Sequence, residues 1–277
     1  MNKILYSRFD KNRIGDLPRV VFPGRIITIL SSGEAQRAVD YLLKSDILGF
    51  DTETRPVFKK GVRNKVALLQ VSTRNICFLF RLNRIGLCPA VIELMEAEGP
   101  VKIGLSWHDD IAALRKRGDF EPRGFIDLQD HMMELGIKDM SLAKLYANIF
   151  RKRISKREQL SNWEADVLSQ KQKEYAATDA WACIMLYEEY VRLRESQEFF
   201  LEYVPDPEVR QNTEEAAEVQ PKEERPVAKR AVSRKKQSRT QRAATRKKPS
   251  VGRSVKAAKD TELGPPEEIV LSKDVNL

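Results

Sequence analysis

Residues 47–54 read Ile47-Leu48-Gly49-Phe50-Asp51-Thr52-Glu53-Thr54, an apolar run that passes directly into two carboxylates. The run predicts a buried strand over residues 47–51. Residues two apart on a strand point to the same face, so Asp51 and Glu53 are expected to converge. Neighbouring carboxylates repel unless a cation lies between them, and oxygen ligands suit Mg²⁺ or Mn²⁺. The alternative is a solvated turn after the strand, the commoner explanation for an isolated Asp-x-Glu.

A second acidic pair follows another apolar run. Residues 101–105 predict a strand, and Asp109 and Asp110 come where the next helix, predicted over residues 110–117, begins. An aspartate in this place either binds a cation or caps the helix, because its carboxylate accepts hydrogen bonds from the first backbone amides. His108 beside them is interpreted as a capping or hydrogen-bonding residue.

Tyr175 and Asp179 form a third motif inside a helix predicted over residues 170–194. They are four residues apart and therefore share a helix face. Alanines and the apolar residues that follow Asp179 predict partial burial of its carboxylate, which then needs a partner or a metal. The alternative partner is one of the many Arg and Lys residues. The three motifs occur at the end or on the face of apolar elements, which favours one shared site.

The rest of the apolar pattern predicts a mixed sheet covered by helices, an α/β fold. A tight hairpin joins two of the expected strands at residues 73–75. The remaining expected strands cover residues 26–30, 66–72, 76–80 and 125–127, and the remaining helices cover residues 32–43, 89–98 and 142–150.

Composition and charge divide the chain into three parts. We expect an irregular lead-in over residues 1–24, a catalytic domain over residues 25–203 and a disordered tail over residues 204–277. The tail is basic at residues 229–259, where 13 Lys and Arg occur without an acidic residue, and it holds too little apolar surface to offset its ordering entropy. The formal net charge of +9 favours a polyanionic partner, with nucleic acid ahead of an anionic membrane.

The three cysteines, Cys77, Cys88 and Cys183, lack the spacing of metal ligands and are interpreted as reduced thiols. No apolar run has the length of a signal-peptide core or a membrane span, so neither secretion nor membrane insertion is expected. These features predict a cytoplasmic protein, or a nuclear one if the source is eukaryotic.

The combined motifs resemble the DEDD superfamily of 3'–5' exonucleases. Asp51-x-Glu53, an aspartate after a strand that contains Gly104, and Tyr175-x-x-x-Asp179 match its tyrosine branch, which includes ribonuclease D and the Werner-type exonuclease domain. Residues 66–72 and the Ser161-Asn162-Trp163 stretch support the match, and the resemblance covers roughly residues 25–195.

The resemblance implies a ribonuclease-H-like fold with two divalent ions, Mg²⁺ or Mn²⁺. The implied ligands are Asp51, Glu53, Asp110 and Asp179, and Tyr175 is implied to orient the attacking water. Asp110 is preferred to Asp109 because the family pattern places an apolar residue four positions later, here Leu114. The implied reaction releases nucleoside 5'-monophosphates from a single-stranded 3' end of DNA or RNA.

Two basic clusters are candidates for phosphate contacts, with a solvated basic face as the alternative. The candidate nucleic-acid-binding residues are Lys59, Lys60, Arg63, Arg151, Arg153, Lys156, Arg157 and Trp163, the last through base stacking or else only as a structural residue. The basic tail is interpreted as an electrostatic tether, or as a solubilising linker. A catalytically silent nucleic-acid-binding module and a structure-specific endonuclease are the competing functions.

Overall fold

The computed structural model of the protein describes residues 2–57 and 64–205. Lys59, Lys60, Arg63 and almost all of the predicted tail lie outside these residues. Two sheets occur in the described part of the chain, one of six strands and one of two. The strands are β1 (Lys3–Tyr6), β2 (Arg25–Ile29), β3 (Ile47–Thr54), β4 (Val66–Ser72), β5 (Ile76–Phe80), β6 (Val101–Gly104), β7 (Phe125–Asp127) and β8 (Phe199–Glu202).

The large sheet has the order β2-β5-β4-β3-β6-β7 and mixes parallel with antiparallel pairs. The predicted hairpin is present, since β4 and β5 pair antiparallel. The central strand β3 pairs antiparallel with β4 and parallel with β6. All seven residues of β4 are buried, which explains its nearly continuous apolar sequence, because a strand covered on both faces has no solvent side.

Helices cover both faces of this sheet. A short 3-10 helix spans Lys11–Ile14. The α-helices of the described residues are α1 (Ser32–Leu42), α2 (Leu82–Ile85), α3 (Pro89–Glu96), α4 (Trp107–Leu114), α5 (Leu128–Glu134), α6 (Leu142–Phe150) and α7 (Gln170–Ser196). None of them combines the length and apolar character needed to span a membrane.

The core has two halves, one on each face of the sheet. Apolar residues of α1, α3 and α4 pack against one face, where Leu48 and Phe50 of β3 point. Residues of α5, α6 and α7 pack against the other face. Helix α7 is buried almost continuously from Tyr175 to Ile184, because it lies between the sheet and the neighbouring helices. The mixed sheet flanked by helices that the sequence predicts is confirmed.

The lead-in over residues 1–24 is not irregular throughout, and that expectation is wrong for β1. Strand β1 pairs parallel with β8, so that Lys3 lies opposite Phe199. Four residues carry too little pattern to indicate a strand whose partner lies almost 200 residues away. The pairing closes the described domain by joining both of its ends.

Two boundaries also differ near the acidic motifs. Strand β3 continues through Asp51 and Glu53 to Thr54, because residues 51–54 still pair with β4. Helix α4 begins at Trp107 rather than at residue 110. Both acidic motifs are therefore held by regular structure and not by flexible ends.

Close contact between α7 and β3 depends on Gly49. A Cβ atom at this position would overlap the Ala180 carbonyl oxygen, which belongs to the helix backbone. Only glycine lets the helix approach the strand this closely. The same contact sets the separation between the acidic residues on β3 and those on α7.

Replacing Gly49 by alanine is expected to lower the free energy of unfolding by about 3 kcal/mol or more, because the clash is with backbone that cannot rotate away. Urea denaturation measures the change. Gly15→Ala is the matched control, since a Cβ there meets no atom within 4 Å and φ is −58°. Equal stability of the two variants would contradict the proposed packing constraint.

Candidate active site

Three acidic side chains converge between β3 and α7. One carboxylate oxygen from each of Asp51, Glu53 and Asp179 lies within 4.8 Å of the others. Asp51 and Glu53 project from the same face of β3, as their spacing predicts, and α7 brings Asp179 over that face. These three residues are called the acidic cluster below.

Burial and mutual repulsion make the acidic cluster hard to ionise. Burial is the largest cause that raises the pKa of Asp51 and of Glu53, and the charges of the neighbouring acids raise both further. Burial also raises the pKa of Asp179 to about 7, although the Tyr175 hydroxyl and the Lys156 ammonium oppose the rise. The three carboxylates need a compensating positive charge to be ionised together at neutral pH.

The donor set fits a hard divalent cation. Asp179 is 7% exposed, and its Oδ1 atom has no hydrogen-bond partner in the part of the chain that the structure describes. An orphaned buried carboxylate oxygen is costly unless it binds a charge. The acidic cluster offers only oxygen atoms, the ligands that Mg²⁺ and Mn²⁺ prefer.

Tyr175 lies one helical turn before Asp179 and is also buried. Burial raises the pKa of its hydroxyl above the ordinary value of 10, and the charges of Asp179 and Glu53 act in the same direction. The hydroxyl therefore stays protonated at neutral pH and acts as a hydrogen-bond donor. Its ring packs near the Trp163 ring, with 5.9 Å between centroids.

Asp110 lies beside the acidic cluster but not within it. The Thr52 hydroxyl donates a hydrogen bond of 2.5 Å to its Oδ1 atom. Burial raises the pKa of Asp110 to about 6, the Thr52 hydrogen bond lowers it, and the charges of Asp109 and Asp127 raise it. Asp109 is exposed, whereas Asp110 is half-buried and faces β3. Of the two aspartates, Asp110 is thus the one whose side chain contacts the strand that carries Asp51 and Glu53.

The start of α4 depends on Asp127, a residue that the sequence analysis misses. The Asp127 carboxylate accepts hydrogen bonds from the backbone amides of Ser106 at 3.0 Å and Trp107 at 2.9 Å. It also accepts one from Gln129 and so caps α5. An aspartate between a short strand and a helix is a recognisable N-cap signal. The second role of Asp127, at the start of α4, can be recognised only from the fold.

Gln70 is a second residue that sequence reasoning leaves without a site role. It lies opposite Asp51 in the β3–β4 register and is fully buried. Within the described residues, neither its amide oxygen nor its amide nitrogen has a hydrogen-bond partner.

A cavity of about 230 Å³ opens onto the acidic cluster. It is lined by residues of β3 and α7, namely Asp51, Thr52, Glu53, Tyr175, Asp179 and Cys183, and by three further segments. The wall residues are Leu105, Ser141, Leu142, Ala143, Ile154, Ser155, Lys156 and Gln159. The cavity lining thus combines the acids with a lysine and with apolar side chains.

The structure separates the predicted nucleic-acid-binding residues into different groups. Lys156 lines the cavity, and Arg157 is exposed next to it. Arg151 and Arg153 have structural contacts: Arg151 lies over the Tyr6 ring at 5.0 Å, and Arg153 Nε donates to the Leu17 carbonyl at 2.8 Å.

Trp163 is 0% exposed, which agrees with the structural alternative for this residue and not with base stacking. Its indole packs in the core near Tyr175 and offers no exposed face to a base. Lys59, Lys60 and Arg63 lie outside the described residues.

Comparisons with known proteins agree on one family. A 3'-5' exonuclease family model matches residues 26–192. The chain is 29% identical over 199 residues to the bifunctional 3'-5' exonuclease/ATP-dependent helicase WRN of Mus musculus, covering 67% of this chain and 14% of that protein. It is 32% identical over 200 residues to a 3'-5' exonuclease of Arabidopsis thaliana, covering 66% of this chain and 69% of that protein.

Among solved structures, the Nibbler EXO domain of Aedes aegypti is similar with a TM-score of 0.56 at 19% identity. The match covers 74% of this chain and 97% of that one. This likeness confirms the ribonuclease-H-like α/β fold that the sequence analysis expects. The chain spans only a small part of the mouse relative's length, so the activities of that whole protein do not transfer.

Removing one carboxylate of the acidic cluster is expected to stabilise the metal-free protein. Asp51→Asn relieves repulsion and should raise Tm by a few degrees, since about 1 kcal/mol corresponds to roughly 2–4 °C in domains of this size. Excess Mn²⁺ should then raise the Tm of the wild type, through binding to the folded state, but not that of the variant. Differential scanning calorimetry measures both effects.

The exposed carboxylate of Asp16 provides the control, because Asp16→Asn removes the same charge from a side chain that is not part of the acidic cluster. It should leave both Tm and the response to Mn²⁺ unchanged. A lower Tm for Asp51→Asn without metal would show that its carboxylate already has a stabilising partner.

The stability of the metal-free protein should also depend on pH. Burial and the charges of Asp179 and Asp110 raise the pKa of Asp51 well above its ordinary 3.8, so the folded protein binds the Asp51 proton more tightly than the unfolded chain does. The cost of ionising Asp51 in the folded state is absent below about pH 4 and grows as the pH rises, and the Asp51→Asn variant does not bear this cost. Urea unfolding should therefore give the largest advantage of Asp51→Asn near pH 8 and a smaller one near pH 5. An advantage that grows as pH falls would contradict the account.

Proposed function

The chain belongs to the 3'-5' exonuclease family, and from this premise we propose that it hydrolyses single-stranded nucleic acid from the 3' end with the help of divalent ions. The expected products are nucleoside 5'-monophosphates. The observation that carries the proposal is the convergence of Asp51, Glu53 and Asp179, with the Tyr175 hydroxyl beside them, at one cavity.

The acidic cluster and Asp110 are the residues that would hold two divalent ions, Mg²⁺ or Mn²⁺. Such ions, when bound, lower the pKa of a water and stabilise the leaving oxygen of a phosphodiester. Asp51 is close enough to Asp179 and Asp110 for both of their charges to raise its pKa, which suits it to help hold the ions. The orphaned Oδ1 atom of Asp179 supports a ligand role for that residue.

Tyr175 is proposed to orient the attacking water. Its raised pKa makes it unsuitable as a general base at neutral pH, because it does not release its proton there. A buried, protonated hydroxyl instead offers a fixed hydrogen-bond donor and acceptor next to the acidic cluster. Packing against Trp163 limits the movement of its ring and so fixes the direction of the hydroxyl.

Substrate contacts are proposed for the exposed basic residues beside the cavity. Lys156 on the wall and Arg157 next to it are suited to neutralise phosphates. A cavity with walls on several sides favours a single unpaired strand, because a paired 3' nucleotide is still attached to its complement. Further electrostatic contacts with the substrate are proposed for Lys59, Lys60, Arg63 and the basic tail.

A reducing compartment, cytoplasmic or nuclear, is proposed as the place of action. All three cysteines are buried and free, as expected of thiols that fold without forming disulfides. Cys183 lies under the acidic cluster, and its thiol points to the Asp179 and Phe50 carbonyls. Burial raises the pKa of the Cys183 thiol, which keeps it protonated and unreactive.

The experiment uses 3'- and 5'-labelled single-stranded DNA and RNA of equal sequence, with Mg²⁺, Mn²⁺ or EDTA. Mononucleotides are expected from the 3' end in the presence of a metal, and the preferred sugar identifies the substrate. Internal fragments would indicate an endonuclease instead. Tight binding without any cleavage would indicate a silent binding module.

Adjacent aspartates provide a matched pair of variants for this assay. Asp110→Asn is expected to lower kcat by about 100-fold or more, because a charge that stabilises the reacting centre is lost. Asp109→Asn should retain most of the activity, since that side chain is exposed. The opposite pattern would transfer the ligand role to Asp109.

A further inference from the structure

The geometry points to Thr52 as a positioning residue that holds the fourth acid, Asp110, at the edge of the acidic cluster for use by a second divalent ion. This inference rests on the proposed function, because it concerns how the same site completes its set of ligands. Thr52 stands between the two acids of the first motif, where the sequence pattern assigns no role.

Thr52 points to the opposite face of β3 from Asp51 and Glu53. Phe50, two residues earlier, shows which face this is, because its ring packs against Trp107 of α4 with 5.5 Å between centroids. The acids of β3 therefore meet α7 on one side, while Thr52 meets α4 on the other. Asp110 has to reach the acidic cluster from this second side.

The backbone of α4 is held in place at the residues that precede Asp110. Ser106 has a left-handed conformation with φ of 61°, an unfavourable one for a residue with a side chain. The Asp127 carboxylate holds the turn by accepting two backbone hydrogen bonds, and Gln129 Nε2 donates to the Ser106 hydroxyl at 2.5 Å. Trp107 is then buried against Phe125, with 4.4 Å between ring centroids.

With the backbone fixed, only the side-chain torsions of Asp110 remain free. The Thr52 hydroxyl holds one of its oxygens, Oδ1, at 2.5 Å. The other oxygen, Oδ2, accepts no hydrogen bond from any described residue and is left for a cation. One oxygen held by a protein donor and one left open is the usual arrangement for a metal-ligating carboxylate.

The position of Asp110 explains why this support matters more here than elsewhere in the site. Asp51, Glu53 and Asp179 are already within 4.8 Å of one another through packing of β3 against α7. Asp110 lies outside that group, in the first turn of α4, and the Thr52 hydroxyl is the donor that holds its side chain. Its contribution therefore depends on the orientation that Thr52 imposes.

The test counts Mn²⁺ ions bound to the full chain, by isothermal titration and by the electron paramagnetic resonance signal of free Mn²⁺. The wild type is expected to bind two ions. Thr52→Val keeps the shape but removes the hydroxyl, so it should retain the tighter ion and weaken the second by roughly 10–100-fold. Thr52→Ser restores the hydroxyl and should restore the second ion.

Thr54→Val is the matched control. Thr54 lies on the same strand and face as Thr52, but its hydroxyl makes no hydrogen bond to a described residue. It should bind both ions as the wild type does. Thr52→Ala repeats the test without the branched side chain, and near-ultraviolet circular dichroism verifies that each variant is folded.

Two outcomes overturn the inference while the proposed function stands. In the first, Thr52→Val binds both ions as the wild type does, and Thr52 has no positioning role. In the second, Thr52→Val binds the second ion more tightly, and the hydrogen bond holds Asp110 away from the site. If instead the wild type binds no Mn²⁺, the proposed function fails and the inference falls with it.

Discussion

Repulsion among three buried carboxylates is the constraint on which the rest of this site depends. Asp51, Glu53 and Asp179 would separate in water, and only the fold keeps their oxygens within 4.8 Å. Apolar packing on both faces of the sheet supplies the free energy that keeps the three carboxylates together, and it offsets their unfavourable electrostatic repulsion. A bound cation turns the same arrangement from a cost into a stabilising interaction.

The scaffold holds this arrangement through a few close contacts. Gly49 lets α7 lie against β3, which brings Asp179 over the strand. Extension of β3 to Thr54 gives the two acids of the first motif a regular backbone that is paired with β4. Rigid supports of this kind suit a reaction in which charges must be in place before the substrate arrives.

The sequence predicts those parts of the structure that have a local periodic pattern. The two central strands, the long helix α7 and the sharing of one face by Asp51 and Glu53 follow from spacings of two and of about 3.6 residues. Tyr175 and Asp179 are expected on one helix face for the same reason. Parts that depend on distant contacts are missed, as the pairing of β1 with β8 shows.

Supporting residues of the site are also beyond the reach of local pattern. Threonine is common in strands, so its presence at position 52 indicates no special role. The hydrogen bond between Thr52 and Asp110 joins residues that are 58 positions apart in the sequence. In the sequence, Asp127 is indistinguishable from an ordinary helix cap. Its hydrogen bonds to the start of α4 are recognised only in the folded structure. Ligands can thus be inferred from their types and spacing, whereas the residues that orient them are identified only once the fold brings the elements together.

The most direct test of the central claim is anomalous diffraction from crystals of the protein soaked in Mn²⁺. The account predicts a strong anomalous peak bound by Asp51 together with Glu53 or Asp179, at about 2.1 Å, the distance at which Mg²⁺ binds oxygen ligands. A second peak should lie on the Asp110 side of Asp51. The absence of any peak, with the three carboxylates hydrogen-bonded to one another or to a lysine, would contradict a metal centre in this fold.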